Sequence, residues 1–576
     1  MKSEKHSLSQ RPSVLWLLAL PPLLAVGFSF ILPYAASFWN ARSAFGIGAM
    51  SGTGDAGISI WENEALFNIT AFTIRQAFFS VLLSLALGLP GAWFIGNSKS
   101  RFVPILRTLS AVPFAMPSIL VVLGFVLFFG NSGWLNQFIV SIWGEERWGS
   151  APLRILYRPE AIILAHGFFN FPLVVRLAGD GLSRARRAYA PAAASLGASP
   201  IVTVFTVILP LALPGILSAA FLVFLYSFTS FAVVLVLGGG PSATTLAVEI
   251  YRHARIFLNY NNAAALALIE TTIAVSAFMA FAYFGKKSRE IKTDLQDRMI
   301  DVQKRKLPGR VFLFIYAAIA GVFILGPIIS IIAESFLHQS SRAAAQELTL
   351  RWWTSLGDTW LPSLFRSLFL AFSAATLSCI LASMAAGFVK LQENSFKANS
   401  GKANAGKTNV FPVLLVKFIS ASPIISSGIV LGLGWLIIYG RTFSRTPLAL
   451  ILLHSVAALP FAFNSISEGL RSLPANTLNA AAVFGANPVK GLLTVALPLS
   501  LKRIRSAWGF AAALSLGELN AAMMLGMEGW ETLPLFIYRA AGAYRYGIAC
   551  AAGSLLILCC AGCFLISDMG IRAYET

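Results

Sequence analysis

Two stretches of the chain, AAASLGASPIVTVFTVILP at residues 192–210 and AAAVFGANPVKGLLTVALP at residues 480–498, follow one pattern. Each has two alanines, three residues, a glycine (Gly197 or Gly485), nine residues, and four residues that end in Leu-Pro. The stretches are 288 residues apart, which is half of the 576-residue chain. Other identical residues recur at that spacing: His166 and His454, Pro172 and Pro460, Ser227 and Ser515, and Gly238 and Gly526. Such an internal repeat indicates that one chain does the work of two similar subunits.

The composition is that of a polytopic membrane protein, since 57% of the residues are hydrophobic, 12% are charged and the mean hydropathy is +0.73. Soluble domains carry roughly a quarter charged residues. Backbone groups in lipid must be satisfied within the segment, so apolar runs of about 20 residues predict helices. Such runs lie near residues 13–36, 72–96, 106–129, 160–178, 212–237, 263–285, 311–335, 363–389, 412–439, 448–466, 500–526 and 545–567.

The sequence therefore predicts an all-α fold of about 12 transmembrane helices in two pseudo-symmetric six-helix halves. We place the first half at residues 1–285, a charged cytoplasmic linker at 286–310 and the second half at 311–576. An insert at 393–409 interrupts the second half, and the sequence gives it no role. Parallel repeats of this kind predict a pathway between the two halves.

The positive charges predict how the chain is oriented. With the N-terminus in the cytoplasm, alternating spans place all 15 lysines on the cytoplasmic side, as the positive-inside bias requires. An even number of spans returns the C-terminus to the same side. The net charge of +20 is then a signal of topology and lipid contact rather than of nucleic-acid binding.

The repeated loop resembles the cytoplasmic loop of ABC importer permeases, which reads E-A-A-x3-G-x9-I-x-L-P. In this chain the glutamate is replaced by Pro191 and Asn479, and the isoleucine by Val207 and Val495. The alanines allow close approach to a partner, the glycine permits a tight turn, and the Leu-Pro pair is expected to end the loop because proline disfavours helix in the residue before it.

This resemblance implies a type I importer permease of the MetI-like fold in a bacterial inner membrane, with both termini in the cytoplasm. It implies two partners, a cytoplasmic ABC ATPase dimer docked on the two loops and an extracytoplasmic substrate-binding protein. The predicted ATPase-coupling residues are Pro191, Ala192, Ala193, Gly197, Leu209, Pro210, Asn479, Ala480, Ala481, Gly485, Leu497 and Pro498.

We expect no catalytic residue, cofactor or metal site in the chain itself. Residues 401–408 fit a phosphate-binding loop, G-x-x-x-x-G-K-[ST], but no buried strand precedes them, and such a loop needs one. Five cysteines lack metal-ligand spacing and are expected to pack in apolar helices. ATP hydrolysis is therefore assigned to a separate subunit.

Three further segments resemble the thiamine ABC transporter permeases, which are likewise fused chains: AHGFFNFP at 165–172, SFAVVLVLGGGPSATTLAVEIY at 230–251 and TLPLFIYRAAGAYR at 532–545. This resemblance implies thiamine or a thiamine phosphate as the cargo. Fused ferric-iron permeases are the alternative. A secondary transporter coupled to an ion gradient and a structural membrane scaffold are alternatives of other classes.

Four polar residues in predicted spans are candidates for the translocation pathway: His166, Asn170, Ser230 and Glu518. An ionisable residue within a span is costly unless it is paired or hydrated. Glu518 is the repeat counterpart of Ser230, and its carboxylate suits a cationic thiazolium; helix pairing or a hydrogen bond to a neighbouring span is the alternative. His166 and Asn170 share a helix face, where polar packing between spans is the alternative to ligand contact.

Overall fold

The structure is a computed structural model that describes residues 12–44, 64–97, 116–238, 240, 243–289, 307–339, 346–357, 360–399, 410–474, 476–527 and 529–572. Most of the described chain is helical, and the residues divide into two compact units. The loop at 401–408, most of the predicted linker (290–306) and most of the predicted insert (400–409) lie outside the described residues.

Among the described residues, twelve helices precede residue 290. They are α1 (Pro12–Val26), α2 (Leu32–Ala44), α3 (Glu64–Asn97), α4 (Ser118–Phe129), α5 (Trp134–Trp143), α6 (Glu145–Trp148), α7 (Pro159–Ser195), α8 (Pro200–Thr203), α9 (Leu209–Phe228), α10 (Ala232–Leu237), α11 (Leu246–Tyr251) and α12 (Tyr260–Arg289) among the described residues. Three π-helical turns continue these helices, at Gly27–Ile31, Val204–Ile208 and Arg252–Ile256.

The rest of the described chain begins with α13 (Leu307–Glu334) and a short antiparallel hairpin of β1 (Leu337–Gln339) and β2 (Gln346–Leu348). The helices that follow are α14 (Arg351–Thr354), α15 (Trp360–Asn399), α16 (Phe411–Ala421), α17 (Gly428–Ser444), α18 (Pro447–Ser472), α19 (Thr477–Val483), α20 (Pro488–Gly491), α21 (Leu497–Leu499), α22 (Leu501–Gly517), α23 (Asn520–Leu525), α24 (Leu533–Gly542) and α25 (Tyr546–Arg572). A 3-10 turn lies at Ser422–Ile425 and a π-helical turn at Leu492–Ala496.

The prediction of an all-α polytopic membrane protein is confirmed. Among the described residues, ten helices are long and apolar enough to cross a membrane, and the bent pair of α16 and α17 would make eleven. Three predicted spans are broken among the described residues: 500–526, where α22 ends at Gly517 and α23 begins at Asn520, and likewise 212–237 and 412–439. Each of these predicted continuous helices is therefore a broken one.

The two compact units do not follow the two sequence halves. Unit 1 consists of Met1–Asn40, Leu356–Arg539 and Ser554–Thr576, and unit 2 of Ala41–Ser355 and Ala540–Gly553. The first helix of the chain thus belongs with the helices of the second half, and α13, the first helix of the second half, belongs with those of the first. The predicted halves therefore describe the repeat in the sequence. In the structure, the first helix of each half packs in the compact unit that contains most of the other half.

Each unit has its own apolar core. In unit 1, Leu15 and Val26 of α1 are buried together with Phe388, Val456 and Ile466 from α15 and α18. In unit 2, one core joins α4, α7 and α13, and a second joins α3, α7 and α9. The helices approach closely because small residues occupy many of their contacts, as is usual between membrane helices.

The exchanged helices make the same contact in both units. In unit 2, Gly124 of α4 lies against Pro327 of α13, so that a Cβ on the glycine would come 2.6 Å from the proline carbonyl oxygen. In unit 1, Gly434 of α17 lies against Pro33 of α2 in the same way. A glycine on one helix thus accepts a proline backbone in both units, and each contact is tight enough to exclude a methyl group.

Replacing Gly434 with alanine is expected to destabilise unit 1. The added methyl group would overlap the Pro33 backbone, and overpacking of this kind costs typically about 1–3 kcal/mol. The melting temperature of the purified chain in detergent, followed by size-exclusion chromatography after heating, would show a loss of several degrees. Gly321→Ala is the matched control, since a Cβ at Gly321 meets nothing within 4 Å; equal melting temperatures for the two variants would contradict the exchanged packing.

Candidate functional site

The two repeated loops have the same backbone geometry. Gly197 and Gly485 lie in the left-handed region, with φ of 81° and 82°. In the first loop the N–H of Gly197 donates to the carbonyl of Ala194 and the N–H of Ala198 to that of Ala193, both at 3.0 Å. The second loop repeats both bonds 288 residues further on, at 2.9 and 3.1 Å. This pair of bonds is the Schellman motif that ends a helix on glycine, so the predicted tight turn is confirmed.

A second helix starts two residues after each turn. The side chains of Ser199 and Asn487 cap these helices by accepting hydrogen bonds from backbone N–H groups of the first turn, at 3.4 and 2.7 Å. A proline follows each cap, at Pro200 and Pro488, where its missing N–H is no loss. The loop therefore folds from local signals that both copies carry.

The Leu-Pro pairs do not end the loops, so that expectation is wrong. Leu209 begins α9 with φ −65° and ψ −46°, and Leu497 begins α21 with φ −66° and ψ −45°. A π-helical turn precedes each pair, and the leucine N–H donates to a carbonyl five residues back, at Val204 or Leu492. Proline crowds the carbonyl four residues back; the wider π turn accommodates its ring, and the chain stays helical.

The predicted loop residues are mostly at the surface. Ala193 is buried, and Ala481 and Leu497 are half-buried. The other predicted loop residues are exposed: Pro191, Ala192, Gly197, Leu209, Pro210, Asn479, Ala480, Gly485 and Pro498. The loop thus presents most of these residues to a partner, although their role in coupling stays a prediction.

Each loop also projects a bulky apolar side chain that the sequence analysis did not single out. Leu196 is 89% exposed and Phe484 is 90% exposed, and each directly precedes the turn glycine. Val483 precedes Phe484 and is 84% exposed, and Ile201 of the first loop is 72% exposed. Large exposed apolar patches are typical of surfaces that contact a protein or a membrane. A bulky apolar residue before the glycine in both copies was the available sequence signal.

The two loops differ in how they are attached. In the first loop α7 runs without interruption to Ser195 and contains Pro191. In the second, α18 ends at Ser472, Leu473 is extended with ψ 142°, and α19 begins at Thr477. Pro474 accounts for this break because proline disfavours helix in the residue before it. Only the first turn-forming helix is therefore continuous with a membrane span.

A break in a membrane helix recurs at the same place in both halves. The helix pair α9 and α10 is interrupted at Thr229–Phe231, which includes Ser230, and the pair α22 and α23 at Glu518–Leu519. Glu518 and Ser230 are 288 residues apart. Both candidate pathway residues therefore lie in non-helical backbone, which at membrane depth is tolerated where protein or a water-filled cavity surrounds it.

The Glu518 carboxylate stabilises the helix that follows the break. Its Oε1 accepts a hydrogen bond of 3.0 Å from the backbone N–H of Ala521 in the first turn of α23. An acceptor at this position satisfies a donor that has no partner within the helix. The residue is half-buried, and no described Lys or Arg forms an ion pair with it. The hydrogen bond to Ala521 agrees with the alternative of a structural contact with a neighbouring helix, and the pathway role of Glu518 stays a prediction.

A second broken helix meets Glu518. The axes of α16 and α17 differ by 104°, and α17 starts at Gly428. A Cβ built on Gly428 would lie 2.7 Å from Glu518 Oε1, so the carboxylate packs directly on the start of α17. The N-terminal end of a helix carries partial positive charge, and the carboxylate lies against this end of α17. In secondary transporters, substrate sites are typically formed by broken membrane helices.

His166 and Asn170 belong to a buried polar network in unit 2. His166 Nδ1 lies 3.1 Å from Gln76 Oε1, and Gln76 Nε2 donates to the Ser227 carbonyl at 2.9 Å. Asn170 Nδ2 donates to Ser227 Oγ at 3.0 Å, and Ser80 Oγ lies 3.3 Å from His166 Nδ1. Ser227 is near the end of α9, where carbonyls lose their partners within the helix. These polar contacts join α3, α7 and α9, and they agree with polar packing between spans.

Gln76 and Ser80 of α3 were missed by the sequence analysis. Two polar residues four apart in an apolar run were the available signal, but only the fold shows that Gln76 reaches the end of α9. The network has a reduced counterpart in unit 1. There His454 Nδ1 lies 2.8 Å from Ser515 Oγ, while Ala458 replaces Asn170.

The described residues contain no group of three His, Cys, Asp or Glu side chains that could hold a metal ion. The five cysteines are free thiols, buried or half-buried, as packing residues are.

The chain is similar to known membrane transport proteins. Residues 88–290 match the family model of the binding-protein-dependent transport system inner membrane component. The chain is 26% identical to the thiamine transport system permease protein ThiP of Escherichia coli (strain K12), over 92% of this chain and 91% of that protein. It is 26% identical to ThiP of Brucella abortus (strain 2308), over 96% of both chains. The spermidine/putrescine transport system permease protein PotB of Escherichia coli (strain K12) is 28% identical over 39% of this chain and 76% of that protein.

Proposed function

Because residues 88–290 match the family model of binding-protein-dependent transport system inner membrane components, we propose that this chain is a permease subunit of an ATP-driven importer, with two permease halves fused. The observation that carries the proposal is the pair of exposed turns at Gly197 and Gly485, which share one geometry and lie 288 residues apart. Two equivalent turns suit the two equivalent grooves of an ATPase dimer.

We propose that each turn inserts its apolar tip, Leu196 or Phe484, into a groove of one ATPase subunit. Closure of the dimer around ATP then moves α7 directly and α18 through the segment that contains Pro474. ATP is hydrolysed by the separate subunit, while this chain provides the path. A substrate-binding protein on the opposite side of the membrane delivers the cargo.

Thiamine or a thiamine phosphate is the cargo that we propose. The relatives that match nearly the whole chain are named as thiamine permeases. In addition, Glu518 places a carboxylate without a described cationic partner at a broken span, and a carboxylate attracts a thiazolium. Ferric iron, the alternative from the sequence, is a trivalent ion that a single carboxylate balances poorly.

The proposal is tested by reconstituting the chain with its ATPase and binding protein in proteoliposomes. Thiamine is expected to stimulate ATP hydrolysis and to be taken up in an ATP-dependent manner, whereas ferric iron is expected to do neither. Thiamine monophosphate in a parallel assay separates the two proposed cargoes. Uptake that needs no ATPase and collapses when a proton or sodium gradient is removed would contradict the proposal in favour of a secondary transporter.

A further inference from the structure

The site around Glu518 extends to the first candidate membrane span of the chain, which consists of α1, a π-helical turn and α2. Tyr34 of α2 donates a hydrogen bond of 2.8 Å to Ser426 Oγ, in the segment that joins α16 and α17. Ser426 in turn donates to the Ser427 carbonyl at 3.1 Å. Ser426 is only two residues from Gly428, which touches the Glu518 carboxylate; two residues of chain span at most roughly 7 Å. The tyrosine hydroxyl and the carboxylate therefore border one junction within unit 1.

Aromatic side chains of α17 hold the first helix at this junction. The π-helical turn Gly27–Ile31 lies just before Tyr34. Trp435 Nε1 donates to the Ser29 carbonyl at 3.0 Å, and the Tyr439 hydroxyl donates to the Phe28 carbonyl. π-helical turns inside α-helices are frequent at functional sites. The position of Tyr34 is thus fixed by two hydrogen bonds and by packing on a fully buried tryptophan.

The groups at the junction favour a positively charged occupant. The Glu518 carboxylate has no described cationic partner, and Asn520 Oδ1 is buried without a hydrogen-bond donor among the described residues. Tyr34 also lies between Phe30 and Phe38, with ring centroids 4.8 and 6.2 Å away. Aromatic faces attract organic cations, and oxygen acceptors attract their N–H groups.

The groups at the junction differ in burial: Ser426, Gly428, Glu518 and Asn520 are half-buried as residues, whereas Tyr34 is buried and so is the Oδ1 atom of Asn520. The equivalent break in unit 2 holds Ser230, which is neutral, and Gln76 satisfies the carbonyl of Ser227 beside it. The charge therefore distinguishes the break in unit 1 from the break in unit 2.

We propose that this junction, lined by Tyr34, Ser426, Glu518 and Asn520, is the cargo site of the chain and that it takes the cationic ring of an organic cargo. The inference rests on the proposed function and names the residues that would hold the cargo. Glu518 supplies the charge, Asn520 and Ser426 supply hydrogen-bonding groups, and Tyr34 supplies an aromatic face and a hydroxyl. The site lies wholly within unit 1, so that the two units are unequal in binding.

The test measures how fast an introduced thiol reacts with small reagents of opposite charge. Ser426→Cys and Asn520→Cys are made singly in a chain whose five native cysteines are replaced by alanine, and the full complex is reconstituted. Cationic and anionic methanethiosulfonates are then compared. A single nearby negative charge is expected to favour the cationic reagent by roughly tenfold or more, Glu518→Gln is expected to remove most of that preference, and saturating thiamine is expected to slow the labelling.

Ser444→Cys is the matched control, because Ser444 is buried in the same unit and donates to the Trp435 carbonyl; it should remain unlabelled. If neither test thiol reacts in a complex that still transports thiamine, or if Glu518→Gln leaves the charge preference unchanged, the site is refuted while the proposed function stands. Another outcome is a complex that fails to transport thiamine and still shows charge-selective labelling that a different organic cation slows. That result would support the site and refute the proposed cargo.

Discussion

Replacing Leu196 and Phe484 together with aspartate is expected to abolish ATP-dependent uptake and to prevent co-purification of the ATPase. The two side chains are 89% and 90% exposed at the tips of the two turns. Burying one leucine or phenylalanine is worth about 1.5–3 kcal/mol, and an aspartate in an apolar groove adds a desolvation penalty. Because every 1.4 kcal/mol is about tenfold in affinity, two such losses are expected to weaken docking by at least roughly a hundredfold.

The fold itself should survive this change, since neither tip is part of an apolar core. Pull-down of the ATPase by the affinity-tagged chain measures docking, and the melting temperature of the chain reports folding. Leu348→Asp is the matched control, because Leu348 is 84% exposed on the β-hairpin. An unaltered yield of ATPase with the double variant would refute the assignment of the two turns as docking elements.

Glu518→Gln is expected to reduce thiamine uptake by at least roughly tenfold without releasing the ATPase. Glutamine keeps an oxygen that can accept from the Ala521 N–H, so the break between α22 and α23 is preserved. What is lost is the charge. Two unit charges about 4 Å apart interact by about 4 kcal/mol at an effective dielectric constant near 20, so even a fraction of that energy gives a tenfold effect.

Two quantities are measured: thiamine uptake in proteoliposomes, and ATP hydrolysis stimulated by the thiamine-loaded binding protein. Glu347→Gln, on the exposed strand β2, is the control that removes a carboxylate from the surface. If the Glu518→Gln chain transports thiamine and supports ATP hydrolysis as the unaltered chain does, Glu518 has no role in binding the cargo. It would then act only as a helix cap.

The loops were predictable from the sequence because their structure is made by neighbouring residues. Gly197 and Gly485 adopt the left-handed backbone that glycine favours, and the caps at Ser199 and Asn487 act within three residues. The one local error concerns the Leu-Pro pairs, where a π-helical turn keeps the chain helical. Proline restricts its neighbours, but a wider helical turn was a solution that the pattern did not reveal.

The candidate membrane site was only partly predictable. Glu518 stood out as a charge in an apolar run, yet the partners that give it a setting come from distant parts of the chain. Tyr34 and Ser426 are 392 residues apart in sequence and 2.8 Å apart in space. Gln76 reaches the Ser227 carbonyl across 151 residues. Hydrophobic periodicity reports which face of a helix is apolar and carries no information about which other helix it meets.

The sequence by itself determined the membrane class, the internal repeat, the helical spans and the two turn geometries, because hydropathy, glycine and helix caps act over a few residues. The tertiary structure decided that the first helices are exchanged between the two sequence halves, as the contacts of Gly124 with Pro327 and of Gly434 with Pro33 show. It also decided that a tyrosine of the first helix and a carboxylate of the second half border one junction. Both results depend on contacts between segments that are distant in the sequence. Local sequence patterns do not specify such contacts.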